Sequence, residues 1–175
     1  MQAQAIDALR VRAEQGDAEA QLNIAIMYVS GCGVSQDDAE AARWFRRAAE
    51  QGSAEAMTKL GVMCGTGRGV AQDGAEAVRW YRLAADWWRR AAEQGDASAM
   101  ANLGIRYASG WGVPQDYVLA HMWRNLATFR LAGEELEQSV RTRDALASLM
   151  TSEDLSEAQR LASEWQATHP HEPSA

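Results

Sequence analysis

Gly31-Cys-Gly-Val-Ser-Gln-Asp37 decides the reading of this chain, because it returns as Gly67-Arg-Gly-Val-Ala-Gln-Asp73 and again as Gly110-Trp-Gly-Val-Pro-Gln-Asp116. A second phrase alternates with it: Ala48-Ala-Glu-Gln-Gly52 and Ala91-Ala-Glu-Gln-Gly95, with Glu14-Gln-Gly16 as a remnant. Two markers in strict alternation indicate an internal repeat, and a period of roughly 20–50 residues indicates a stacked array.

Outward from each glycine pair the pattern is helical. Asp17, Ser53 and Asp96 share one repeat position, and each side chain can accept a bond from the free N–H groups of the turn that follows. Behind them Ala20, Ile24, Met27 and Tyr28 form a stripe at 3.6 spacing, as do Ala56, Leu60, Met63 and Cys64. In the third copy the stripe is Ala99, Leu103 and Tyr107, with Arg106 breaking its edge. Ala25, Gly61 and Gly104 follow the large apolar residue each time, so a neighbouring helix can approach closely. The paired glycines end this first (A) helix, since a Gly just past a helix supplies the left-handed backbone that a Cβ resists. Val34, Val70 and Val113 are placed to plug the turn into the core. Asp37, Asp73 and Asp116 then cap a second (B) helix, and Glu40 and Glu76, three residues on, are placed to complete a capping box.

Asp37 and Asp73 are 36 residues apart, Asp73 and Asp116 43. The extra seven lie in Trp80–Glu93, where one heptad is followed by a near copy of itself. Seven residues add about 10.5 Å to a helix and fall only ~20° short of two turns, so one continuous B helix from Asp73 to Gly95 is expected. Loss of most of an additional repeat would leave the same sequence. The division expected is a half-repeat helix in 1–16, repeats in 17–52, 53–95 and 96–133, capping helices in 134–170 and a frayed tail in 171–175. The tail seam is read as Leu146, Leu149, Met150, Leu155, Ala158, Leu161, Ala162 and Trp165, with a cap at Thr151-Ser-Glu-Asp154.

The 175 residues are 47% apolar, enough for a continuous core, and carry a net charge of −7. Lys59 is the only lysine among 17 basic residues. An acidic balance argues against nucleic acid or an anionic membrane as main ligand, since both select clustered cations. No apolar run approaches the ~20 residues of a membrane span, so membrane insertion is not expected. Met1-Gln-Ala-Gln-Ala-Ile6 shows no basic region followed by an apolar stretch, so a cytoplasmic location is expected as the chain stands, and a periplasmic one if a leader was removed. Cys32 and Cys64 make no disulfide framework and have no zinc-ligand spacing, and both are expected to be free thiols.

The frame Leu-Gly-x-x-Tyr-x-x-Gly-x-Gly-Val-x-Gln-Asp is carried by Leu103-Gly104, Tyr107, Gly110, Gly112-Val113 and Gln115-Asp116. Its continuation, Ala-x-x-Trp-Tyr-x-x-Ala-Ala-Glu-Gln-Gly, is carried by Ala77, Trp80-Tyr81 and Ala91–Gly95. Together they resemble the Sel1-like repeat family, relatives of tetratricopeptide repeats, over residues 3–133. The resemblance implies an all-α fold, a right-handed superhelix of antiparallel helix pairs, and the role of an adaptor holding other proteins. Departures are the extra heptad, Cys64 at the Tyr position and the initial half repeat. Cysteine-rich relatives described as β-lactam binders or hydrolases have regular cysteine pairs, which this sequence lacks.

In tetratricopeptide relatives the A helices line a concave face. Aligned on Ile24, Leu60 and Leu103, the facing residues are Glu19, Leu22, Ile26, Val29 and Ser30; then Glu55, Thr58, Val62, Gly65 and Thr66; then Ser98, Ala101, Ile105, Ala108 and Ser109. This surface is small, apolar and hydroxyl-bearing, without a lysine or asparagine clamp, and suits an extended or helical peptide held by shape. Alternatively Leu22, Ile26, Val62 and Ile105 pack on adjacent A helices. Trp44, Trp80 and Trp123 recur at one B-helix position and read as core. Trp87 and Trp88, in the extra heptad and flanked by Arg89 and Arg90, read either as an exposed interface anchor or as residues covered by the tail helices. Trp111 lies in a turn and is a further contact candidate.

The glycine turns do not read as phosphate cradles, since no strand precedes them and helix termination explains them. His121 lies mid-helix without a Cys or Ser partner, His169 and His171 lie in the tail, and no hydrolase motif is present. No catalytic residue, cofactor or metal is expected. The leading function is a non-catalytic scaffold binding a protein or peptide, itself a monomer or weak homo-oligomer. A periplasmic peptidoglycan- or polysaccharide-associated binder and a hydrolase are the alternatives.

Overall fold

The computed structural model describes residues 2–169. The tail expected at 171–175, with His171, lies outside the described residues. Among these, nine α-helices and no strand are found: α1 (Gln2–Glu14), α2 (Ala18–Ser30), α3 (Asp38–Glu50), α4 (Ala54–Thr66), α5 (Gly74–Glu93), α6 (Ala97–Ser109), α7 (Tyr117–Thr128), α8 (Gly133–Ala147) and α9 (Ser152–Thr168). The chain forms two compact units, Met1–Ala84 and Ala85–Ala175. The fold is an all-α repeat.

Each A helix is started and stopped by the residues that the repeat supplies. Asp17, Ser53 and Asp96 accept from the N–H of Ala20, Ala56 and Ala99. Gly31, Gly67 and Gly110 end α2, α4 and α6 at φ of 70°, 72° and 72°, each donating its N–H to the carbonyl four residues back. Gly69 is needed for a second reason: a Cβ there would lie 2.1 Å from the Asp38 carbonyl oxygen, so the turn and the start of α3 can touch only through a glycine. The B helices are capped by Asp37, Asp73 and Asp116, which accept from Glu40, Glu76 and Leu119 N–H.

The capping boxes expected at Glu40 and Glu76 do not close. Glu40 turns to Arg43 at 3.2 Å, and Glu76 accepts from Trp80 Nε1 and pairs with Arg46 of α3 at 2.9 Å. Those bonds, the Trp80 indole first and Arg46 second, hold the Glu76 carboxyl below its ordinary range. A partner on another helix has won over the local backbone. The reciprocal box forms instead at the start of α9, between Thr151 and Asp154.

In the first unit α2 packs on α1 and α3, and α3 on α4. Ile24, Phe45 and Leu60 are its largest fully shielded side chains. In the second, α7 sits against α6, α8 and α9 around Met100, Leu103, Trp123 and Leu126. Trp123 meets Trp165 edge-on at 5.9 Å, and Trp165 stacks on His169 at 4.2 Å. Leu149, expected in the tail seam, is 66% exposed: it falls in the turn after α8, beyond the helical register that buries Leu146.

Candidate functional site

The residues read as the concave face stay in contact with solvent in both units. On α2, Glu19, Ile26 and Ser30 are exposed while Leu22 and Val29 are half-buried; on α4, Glu55, Val62 and Thr66 are exposed while Thr58 is half-buried. Ile26 and Val62, at matching repeat positions, rank among the exposed large apolar residues at 38% and 37%. On α6, Ser98 is exposed and Ala101 and Ile105 are half-buried. Those three line a pocket of about 380 Å³ with Asn102 of α6, Arg124 of α7, Leu131, and Glu134, Glu135 and Gln138 of α8.

The tryptophans divide differently from a simple pair of anchors. Trp87 is 46% exposed, whereas its edge-on neighbour Trp88, 6.1 Å away, packs against the core of the second unit. Of these two, Trp87 is the one with an exposed indole. Trp111 is 42% exposed, but its ring already lies against the Arg106 guanidinium at 5.3 Å. Arg106, expected to break the edge of its stripe, is in fact buried.

Arg124 was missed by a reading that followed tryptophans and apolar stripes. The signal lay one position further on. The residue after the repeated tryptophan is Phe45 in α3, Tyr81 in α5 and Arg124 in α7. The slot is interior: Phe45 is 2% exposed and Arg124 4%. Gly104 makes room for the arginine's stem, since a Cβ there would lie 2.9 Å from Arg124 Cγ; Gly61 makes room for the Tyr81 ring in the same way. Arg124 Nε is buried without a hydrogen-bond partner, and its guanidinium has no ion-pair partner among the described residues. Burial pulls the group below its usual value.

The chemistry available for catalysis is sparse. His121 is 6% exposed, with Nδ1 unpartnered, and burial lowers its pKa, aided by Arg143 and opposed by Asp144. Both cysteines are free; Cys32 is exposed, and burial raises the thiol of Cys64. No cluster of His, Cys, Asp and Glu among the described residues could hold a metal ion, and no described helix is long and apolar enough to cross a membrane.

The Sel1 repeat model matches residues 18–53, 54–86, 86–96 and 97–136. Among solved structures, the chain is similar to the Sel1 repeat protein from Oxalobacter formigenes, at 36% identity over 79% of this chain and 98% of that one, with a TM-score of 0.51. It is also similar to a protective antigen present in uropathogenic Escherichia coli strains displaying an SLR fold, at 25% identity over 98% of this chain, with a TM-score of 0.49. The chain spans 44% of that antigen's length. No curated protein matches the chain.

Proposed function

This chain belongs to the Sel1 repeat family, whose members generally serve as protein-interaction scaffolds, and on that premise we propose that it is a non-catalytic adaptor whose A-helix face binds a protein or peptide. The observation that carries the reading is the pair Ile26 and Val62, large apolar residues left in water at equivalent positions of α2 and α4. Glu19, Leu22 and Val29 of α2 and Glu55 and Thr58 of α4 add both polar and apolar side chains that keep contact with solvent, the mixed composition of a contact surface. Ser98, Ala101 and Ile105 of α6 form the corresponding strip in the second unit.

The test is co-purification of the full chain followed by mass spectrometry, run beside an Ile26→Asp/Val62→Asp chain with unchanged circular dichroism. A partner retained by the wild type and lost from the variant is expected. Identical recovery from both would overturn the assignment of the face.

Trp87 favours one other reading. An indole that is 46% exposed is the type of platform on which a sugar ring stacks, so a polysaccharide- or peptidoglycan-binding protein is the alternative. Sedimentation with insoluble peptidoglycan that Trp87→Ala abolishes would select it.

A further inference from the structure

A buried polar group without a partner requires a reason, because its desolvation goes uncompensated. Two of the chain's other interior polar groups show how such a group can be met. Gln21, buried in α2, donates to the Ala13 carbonyl at 2.9 Å and accepts from Gln51 at 2.7 Å. Arg106 has the face of Trp111. Arg124 Nε, like His121 Nδ1, has no such complement, and at Arg124 the repeat fills the same slot with an aromatic ring twice. Arg124 also lines the 380 Å³ pocket in the second unit, whose other lining residues include apolar, amide-bearing and acidic side chains.

We propose that the pocket between α6, α7 and α8 is a subsite for a single peptide carboxylate, received by Arg124, with Ile105 and Leu131 holding the adjoining apolar side chain. This deepens the adaptor reading and rests on it, since it gives the chemistry of the segment bound. A guanidinium whose Nε–H is buried without a partner, at the wall of a pocket, suits a carboxylate by charge-assisted bonds. Glu134 and Glu135 at the same pocket disfavour a dianion, which sets a carboxylate apart from a phosphate. Asn102 and Gln138 can meet the neighbouring peptide group. The pocket takes about one or two residues, so the partner presents either its C-terminus or an Asp or Glu side chain.

The full chain, isotope-labelled at arginine, is titrated with three probes while the Arg124 Nε–H resonance is followed, that peak being assigned by its absence in Arg124→Lys. The probes are N-acetyl-alanyl-leucine, N-acetyl-leucyl-glutamyl-leucinamide and inorganic phosphate; N-acetyl-leucyl-glutaminyl-leucinamide is the neutral control. One carboxylate peptide is expected to shift the peak saturably, near ~1 mM as befits so small a contact, and at least about 10-fold more tightly than control or phosphate. Which peptide does so tells the C-terminal source from the side-chain source. Glu134→Gln/Glu135→Gln is expected to tighten carboxylate binding a few-fold, a response that an inert structural arginine would not give. An equal response to the neutral control, a stronger one to phosphate, or no saturable shift with either carboxylate overturns the proposal. The adaptor reading fails on a separate readout, partner capture by the Ile26→Asp/Val62→Asp chain, whose changes lie in the other unit and leave the Arg124 titration in place.

Discussion

The helix pairs α2–α3 and α6–α7 share one register, yet three slots that are interior in the second pair hold different chemistry. Met27, Ala42 and Phe45 in the first correspond to Arg106, His121 and Arg124 in the second. All three replacements are within 6% of full burial, so the second pair carries two guanidiniums and an imidazole where the first carries hydrocarbon. The reverse exchange occurs once, with Gln21 in α2 and Met100 in α6. Repeat architecture thus fixes which positions are interior without fixing their polarity. A slot accepts a polar group where the surroundings supply a complement, as Ala13 and Gln51 do for Gln21. At Arg124 no complement is present, and the pocket it lines offers a reason other than stability.

The strongest way to break this comparison is to exchange the slot. Phe45→Arg places a charge at a site 2% exposed, where its desolvation has no offset. The expected loss is about 4 kcal/mol or more, through an unpaired buried charge and lost aromatic packing. Urea unfolding followed by tryptophan fluorescence measures it. A loss below about 1 kcal/mol would mean that the slot itself is permissive, and Arg124 would then need no special explanation.

A smaller perturbation compares what each glycine shelters. At Gly61 a new Cβ would lie 2.6 Å from the Tyr81 ring; at Gly104 it would meet the Arg124 stem at 2.9 Å and the Ala120 carbonyl at 3.0 Å. A ring cannot yield along its length, whereas a methylene stem can swing. Gly61→Ala is expected to cost about 1–3 kcal/mol despite its better helix propensity, and Gly104→Ala less. Thermal melts give the ranking. The reverse order would show that Arg124 is held as rigidly as a core aromatic.

How much of this was legible without coordinates follows from what turns and stripes require. The glycine pairs stood out because α2, α4 and α6 end in backbone near φ +70°, a conformation that few residues adopt readily. Aspartates at N-caps were legible for a similar local reason. What was not legible was competition between local and distant partners: Glu76 turned to Arg46 and Trp80 rather than to its own cap. Leu149 looked like part of a seam because a periodic stripe carries no mark of where its helix stops. Arg124 was hidden because a charged residue next to a core tryptophan reads as the edge of the apolar face. Comparing Phe45, Tyr81 and Arg124 across the repeats would have exposed it. Whether α8 leaves a pocket beside it depends on packing that no repeat encodes.

Filling the slot with hydrocarbon sharpens the comparison from the other side. Arg124→Met keeps the stem against Gly104 and removes the buried charge. The expected change is a gain of about 1–2 kcal/mol, by the rule that interior charges without good partners are often improved by apolar isosteres. The gain should appear in urea unfolding and be accompanied by loss of any carboxylate response. A loss of stability instead would identify the guanidinium as structural.

The smallest effect is the third exchanged slot, Ala42 against His121. Burial, chiefly, and Arg143 keep the folded His121 pKa below the unfolded value of about 6.5, with Asp144 opposing. The unfolded chain therefore takes up a proton that the folded one refuses. Stability from this group is complete above about pH 6.5 and is lost as pH falls through the folded value. Carboxylates such as Asp17 and Glu76, whose folded pKa values are lowered by hydrogen bonds, lose their contribution only at more acidic pH, in a separate window. His121→Leu is expected to flatten the stability profile just below about pH 6.5 while leaving the acid limb in place. Denaturation midpoints across that range check it, and an unchanged slope would mean that the interior of α7 and α8 admits the proton that its burial is argued to exclude.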